Sequence, residues 1–349
     1  MRVTIKDVAE KAGLSVSTVS LVLNHKPHRI SEETRQRVLQ VARELNYHPN
    51  RMAVSLIKNR TNTIGLLIPD ITNMFFAEIA KGAEVGCQEL GYSMILCNTN
   101  DNPQKDIDYV NVLLERGVDG IIFVMAVNSS NNKARECYDL LRQFEKPVVL
   151  VDRTVEDLEL PSVSTDNELG GYLATRHLLE LGHRRIGCIT GPMGSQSSKR
   201  RLFGYIRALQ EYAVPFRAEL VAEGNYHADS GYRLSRRLLK SGVTAILACN
   251  DMMSYGVYRR ARRERLRIPE DLSVVGFDDV TFSEMAEVPL TTVAQPAYRI
   301  GRASVEKLLE LLQNGTLSER TLVFPPELIV RRSTAPPVGR EEARESESR

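Results

Sequence analysis

Apolar runs of strand length in this chain repeatedly close on side chains able to hydrogen-bond: TIGLLIPD on Asp70, YSMILCNT at Asn98, PVVLVD on Asp152, AILACND on Asp251 and SVVGFDD at Asp278. Ligands of open parallel sheets lie outside the carboxyl ends of the strands, so these residues are candidates for a polar binding cleft. Strand-end carboxylates and amides also cap the helices that follow, and each residue carries both readings. A second group lies near the N-terminus. In SVSTVSL, residues 15–21, the hydroxyls of Ser17, Thr18 and Ser20 stand beside Val16 and Leu21, a small face suited to phosphates and base edges.

Other chemistries leave no trace. No GxGxxG follows a strand, and neither GxxxxGK[ST] nor GxSxG occurs, which removes the usual signals of a nucleotide-dependent enzyme and of a nucleophile elbow. The histidines of HKPH, His25 and His28, have no cysteine or second pair near them to complete a metal site, so neither metal nor cofactor is expected. Five cysteines, an odd and scattered set, read as reduced core residues.

The elements that must carry these side chains follow from patterning. A chain of 349 residues, 42% hydrophobic, divides into two or three domains. With no leader-like start and no run near ~18 apolar residues, a cytoplasmic protein without a membrane contact is expected. Residues 1–60 hold 11 Lys/Arg against 5 Asp/Glu, leaving 35 against 39 for the rest, so the N-terminal end is the one suited to a polyanion. There Ile5, Val8, Ala9 and Ala12 fall on one helical face behind Thr4, with Asp7 in the first turn and Gly13 as the stop. Ser15 caps a second helix facing inward with Val19, Val22 and Leu23. Ser31 caps a third, with Val38, Val41, Ala42 and Leu45 inward. Two short helices around a glycine turn make a helix-turn-helix, and the third completes a minimal core. From residue 62 strands alternate with helices, the pattern of parallel sheets covered on both faces.

TIKDVAEKAGLSVSTVSLVLN, ISEETRQRVLQVARELNYHPN and AVSLIKNRTNTIGLLIPDITNMFF together resemble the LacI/GalR family of bacterial transcription regulators, most closely its ribose-repressor type, through about residue 334. The resemblance implies a DNA-binding domain over 1–60 with a hinge at 50–60, and a periplasmic-binding-protein-like α/β body over 61–335 made of two doubly wound subdomains. The first would comprise 62–162 and 296–322, the second 163–295 and 323–335. It implies that Thr4, Ser15, Val16, Ser17, Thr18, Ser20, Leu21 and Asn24 meet operator DNA, and that Leu56 wedges into the minor groove at a kinked step. Where relatives often carry arginine this chain has Leu21, so a guanine contact gives way to apolar contact. Ile57 replaces a common basic residue, which passes phosphate contact to Lys58 or Arg60.

Motif by motif, the resemblance also implies an effector site of Asn73, Phe75, Phe76, Asp152, Arg153, Arg201, Tyr226, Asn250, Asp278 and Gln295. Aromatic rings against the C–H face of a sugar, carboxylates taking hydroxyl protons and two arginines donating suit a neutral polyol, ribose or a similar pentose. The arginines also suit an anion, or a salt bridge across the cleft to Asp278 or Asp152, and Tyr226 suits a flat nucleobase. The expected protein is therefore a repressor, not an enzyme: a homodimer, or a tetramer, on pseudo-palindromic DNA under control of a small sugar. A transport solute-binding protein and a regulator answering to a phosphoprotein are the rivals. Ile79, Ala83 and Cys87 form a stripe that reads as dimer surface or as core. The charged end, 336–349, reads as a disordered tail.

Overall fold

The computed structural model describes residues 3–23, 30–47, 60–127, 131–143, 146–153 and 160–337, in two units that divide between residues 61 and 62.

The first unit holds helices α1 (Ile5–Ala12), α2 (Val16–Leu23) and α3 (Glu32–Glu44). Each start has its own capping chemistry. The Thr4 amide and hydroxyl both donate to Asp7 Oδ2, at 2.7 and 2.8 Å, and the hydroxyls of Ser15 and Ser31 accept from the amides of Thr18 and Thr34. Gly13 ends α1 in the left-handed region at φ 67°, where its missing Cβ matters, and the Leu14 amide reaches back to the Ala9 carbonyl. Val8, Ala9, Ala12, Val19, Val22, Val38, Val41 and Ala42 are buried together, so the core is built of small side chains and the helices approach closely.

The second unit contains two six-stranded sheets. The first runs β11-β5-β4-β3-β1-β2, all parallel: β1 (Thr63–Ile68), β2 (Ser93–Asn98), β3 (Gly120–Phe123), β4 (Val148–Val151), β5 (Ser162–Thr165) and β11 (Thr321–Phe324). The second runs β12-β10-β9-β8-β6-β7: β6 (Ile186–Thr190), β7 (Val221–Glu223), β8 (Ala245–Ala248), β9 (Ser273–Asp278), β10 (Thr291–Ala294) and β12 (Glu327–Ile329). Only β12 is antiparallel in it. Two parallel sheets, each clothed by helices, are the doubly wound arrangement that the alternating pattern predicts.

Helix α4 (Met74–Glu89) and the late helix α12 (Ala297–Asn314) pack together beside the first sheet, with α5 (Pro103–Glu115) and α6 (Asn131–Gln143) forming another pair. On the second sheet the pairs are α7 (Asn167–Glu180) with α8 (Gln196–Glu211) and α9 (Ala228–Lys240) with α10 (Asp251–Arg263); α11 (Thr281–Met285) is a short turn after β9. The chain crosses between sheets after β5, after β10 and between β11 and β12. The breaks expected after 162 and 322 fall inside β5 and β11, so both segments stay with the first sheet through Thr165 and Phe324. Strand pairing, which spacing alone does not reveal, carries them those few residues further.

Ile79, Ala83 and Cys87 are at most 1% exposed and belong to the core between α4, α12 and the first sheet. Of the two readings of that stripe, core is the one observed. All five cysteines are buried and free. No helix among the described residues is long and apolar enough to cross a membrane, and no group of three His, Cys, Asp or Glu among them gathers to hold a metal.

Candidate functional site

On the first unit, α2 turns Val19 and Val22 inward and leaves Ser15, Val16 and Ser17 exposed, with Thr18, Ser20 and Leu21 half-buried. Thr4 is exposed at the start of α1 and spends its polar groups on Asp7. Ser15 is likewise committed to Thr18. Val16 and Ser17 are thus the exposed residues of α2's first turn, with the edges of Ser20 and Leu21 beside them. Asn24 and Leu56 lie outside the described residues.

On the second unit, the strands of both sheets deliver their carboxyl ends to one cleft. Its inner compartment, about 20 Å³, is lined by Asn73, Phe75, Phe76, Asp152, Arg153, Ser197, Arg201, Tyr226, Asn250 and Asp278. Nine of the ten expected residues meet there. Gln295 stands behind them, donating from Nε2 to Asp278 Oδ1 at 2.7 Å. Three of the lining residues hold left-handed backbone that non-glycine residues seldom adopt: Asp152 at φ 60°, Tyr226 at 67° and Asp278 at 122°. At these three positions the chain leaves its regular path and turns a functional side chain toward the cleft.

The two arginines do not bridge the cleft as ion pairs. Arg153 donates to Asp101 Oδ1 at 2.6 Å and to the Met125 carbonyl at 2.8 Å, both partners on the first subdomain. Arg201 donates from Nε to Asn167 Oδ1 at 2.7 Å and from Nη1 to the Cys249 carbonyl, with Asp278 at 3.9 Å, all on the second. Each cation is thus neutralised within its own half. The reason is positional: Asp101 follows β2, adjacent to the first sheet, and is nearer to Arg153 than any acid across the gap.

Asp152 remains. Its Oδ1 is buried without a hydrogen-bond partner, as is Gln295 Oε1. Burial raises the Asp152 carboxyl above its ordinary range, against the pull of Arg201 and Arg153. Burial also raises Asp278 well above its ordinary range, opposed chiefly by Arg201 and reinforced by Asp251. Asp251 beneath it is pushed up to about 6 by burial, although the Ser283 and Thr292 hydroxyls and the Val280 amide all donate to it. Of these three acids, only Asp152 leaves a buried oxygen without a partner.

The remaining residues divide into walls and supports. The Phe75 and Phe76 rings meet edge to face, centroids 5.2 Å apart, and the Arg153 guanidinium lies over Phe76 at 5.3 Å. Asn73 caps α4 through Oδ1, which accepts from the Phe75 amide. Asn250 caps α10 in the same way and donates from Nδ2 to the Tyr226 carbonyl at 2.9 Å, pinning the strained loop that carries the Tyr226 ring. The Tyr226 hydroxyl is 2.6 Å from that of Ser198. Sequence reasoning missed Ser197 and Asp101, since neither ends an apolar run. It also missed the outer compartment, about 280 Å³, which shares Asn73, Phe76, Arg153 and Tyr226 with the inner one and adds residues such as Asp70, Asn100, His227 and Met252.

A helix-turn-helix unit followed by a two-sheet body with a polar cleft defines the class: a DNA-binding protein with a small-molecule receptor. Residues 4–50 match the family of bacterial regulatory proteins of the lacI type, and residues 175–334 match a periplasmic binding protein-like domain. The HTH-type transcriptional regulator DegA of Bacillus subtilis (strain 168) is 38% identical over 337 residues, 96% of this chain and 99% of the relative. The HTH-type transcriptional repressor PurR of Vibrio atlanticus (strain LGP32) is 38% identical over 333 residues, 95% and 98% respectively. Among solved structures, the Lac repressor dimer bound to operator and the anti-inducer ONPF is similar with a TM-score of 0.85 at 31% identity, covering 96% of this chain and 100% of that one. A LacI-family regulator of Enterococcus faecium with bound ribose is similar with a TM-score of 0.70 at 33% identity, covering 78% and 99%. The chain belongs to the LacI family and is a DNA-binding transcriptional repressor of that family.

Proposed function

We propose that this repressor acts in the cytoplasm as a homodimer on a pseudo-palindromic operator and answers to a small neutral polyol whose pentose ring, ribose or a close relative, occupies the inner compartment. The observation that carries the effector reading is the partnerless Asp152 Oδ1 in the lining of the inner compartment, which Phe75 and Phe76 wall, with the equally bare Gln295 Oε1 behind that lining. Hydroxyl groups both donate and accept, so they satisfy such atoms and remove the cost of leaving them bare, roughly 1–3 kcal/mol each. A similar family member is seen with bound ribose.

Charge argues against an anion. Both arginines are already partnered within their own subdomains, so a phosphate would find no cation left to receive it. The inner volume, about 20 Å³, holds about one water, so a pentose enters as the walls part, and the effector acts through its preference for one of two states.

On the DNA, Val16, Ser17 and Leu21 read bases, with Leu56 as the wedge. The test is to select a duplex from random sequence with the full chain and then follow its release by fluorescence anisotropy as D-ribose is added. Release by ribose supports induction, tighter binding makes ribose a corepressor, and indifference to every pentose removes the effector reading.

A further inference from the structure

The charge of the second unit is divided unevenly along the chain. Residues 228–267 hold ten Lys/Arg against three Asp/Glu, while the rest of the chain beyond residue 60 holds 25 against 36. The cations gather on α9 and α10, which pack together and both run back from the carboxyl ends of the strands. On α9, Arg233, Arg236, Arg237 and Lys240 are exposed at i, i+3, i+4 and i+7, one stripe two turns long. On α10, Arg259, Arg262 and Arg263 repeat that spacing. Neighbours in such a stripe stand about 5–6 Å apart, inside the screening length of about 8 Å, so their fields add.

Some of this charge is already spent. Arg259 pairs with Asp229 at 2.8 Å and lies over the Tyr232 ring. Arg260 is buried over the same ring with Glu264 at 3.5 Å, and Arg237 donates to the Val221 carbonyl. Among the described residues no carboxylate pairs with Arg233, Arg236, Lys240, Arg262, Arg263 or Arg265. Cations in a last turn suit the helix dipole, but Arg233 stands two turns before the end of α9, out of reach of that effect.

A protein partner needs an apolar centre within the polar rim of its interface. Among the described residues no large apolar side chain between Arg217 and Thr281 is exposed. Arginine forks instead take paired oxygens of a phosphate, and rows of them follow a phosphate backbone. We infer that the face shared by α9 and α10 is a second DNA-binding surface, which takes the backbone of double-stranded DNA without regard to sequence. Counterions released there add to those released by the helix-turn-helix unit, and a chain already on DNA meets further phosphates at high effective concentration.

The experiment follows binding of the full chain to a random-sequence duplex by fluorescence anisotropy across a salt series. One variant combines Arg233→Gln, Arg236→Gln and Arg262→Gln; a control of equal charge combines Arg116→Gln, Arg217→Gln and Arg332→Gln, which lie elsewhere on the second unit. The first variant should bind about tenfold or more weakly at low salt, and its log–log salt slope should fall by about 0.9 for each phosphate contact removed. The control should stay within about twofold of wild type with its slope unchanged, and thermal melting should show both variants folded. Equal loss in the two variants, or wild-type affinity and slope in the first, overturns the inference. A poly-glutamate chain that displaces the duplex from wild type and binds it more tightly than the duplex does assigns the face to an acidic polypeptide and overturns the DNA reading as well.

Discussion

Arg201 spreads its guanidinium over the ring of Phe277, 3.7 Å from the centroid, while Nη1 points past it to Asp278 at 3.9 Å. The cation is thereby held flat, buried and aimed at the cleft by neighbours in its own subdomain. Removing it leaves Asp278 and Asp152 buried with less compensating charge. Arg201→Ala should therefore cost about 3 kcal/mol of stability as well as the effector response, measured by chemical denaturation beside a sugar titration. Arg201→Lys keeps charge but lacks the planar fork, and should fold better while still losing response.

The position of Arg201 rests on a close helix crossing. A Cβ on Gly171 of α7 would stand 2.1 Å from the Arg201 carbonyl oxygen on α8. Backbone cannot yield as a side-chain tip can, so Gly171→Ala should separate α7 from α8 at a cost of about 1–3 kcal/mol. Thermal melting of the variant checks the stability, and weakened effector binding in the folded fraction checks the link to the site.

Two kinds of carboxylate should respond to acid in opposite directions. Asp251 and Asp106 of the body are each pushed up to about 6 by burial, against an ordinary 3.8, so they hold more protons folded than unfolded between those values. Stability from these groups falls as pH rises through that window, and returning from pH 7 to pH 5 should restore roughly 1 kcal/mol per group. Asp7 behaves the other way: the Thr4 amide, then its hydroxyl, hold the carboxyl below its ordinary value, so its contribution is present above about pH 4 and lost below. Melting curves of Asp251→Asn against wild type, flatter between pH 5 and 7, test the first statement.

We propose, from the family resemblance, that Leu56 is the minor-groove wedge. Leu56→Ala should weaken binding to the selected operator by more than it weakens binding to random duplex, because an apolar wedge acts only where a step kinks. Equal loss on both duplexes in a salt-matched gel shift removes that role.

The strong apolar runs TIGLLI, SMILCN, GIIF, VVLV, IGCIT, AILA and SVVGFD are all strands in the structure. The strands SVST and TTVA, β5 and β10, escaped notice because hydroxyls replace aliphatics in them, and β7 and β12 because three residues make no pattern. The short helices were legible from caps and spacing: Thr4, Ser15 and Ser31 stand where expected. Nine residues that motif matching drew from scattered segments share one compartment, yet their pairings were not legible. Arg153 lies 52 positions from Asp101, and they meet only because the segments after β2 and β4 emerge on the same edge of one parallel sheet. Spacing along the chain likewise says nothing of how Asn250 divides its amide between a helix cap and the Tyr226 carbonyl.

The most direct measurement is calorimetry of D-ribose into the full chain and into Asp152→Asn. Asparagine tolerates the left-handed backbone that Asp152 adopts at φ 60°, so the variant should fold. The account predicts one pentose per chain for wild type and an affinity lowered by about 30-fold in the variant, the loss expected when an acceptor oxygen gives way to an amide nitrogen that only donates. Equal affinity for the two proteins, or no heat from any pentose, would contradict it.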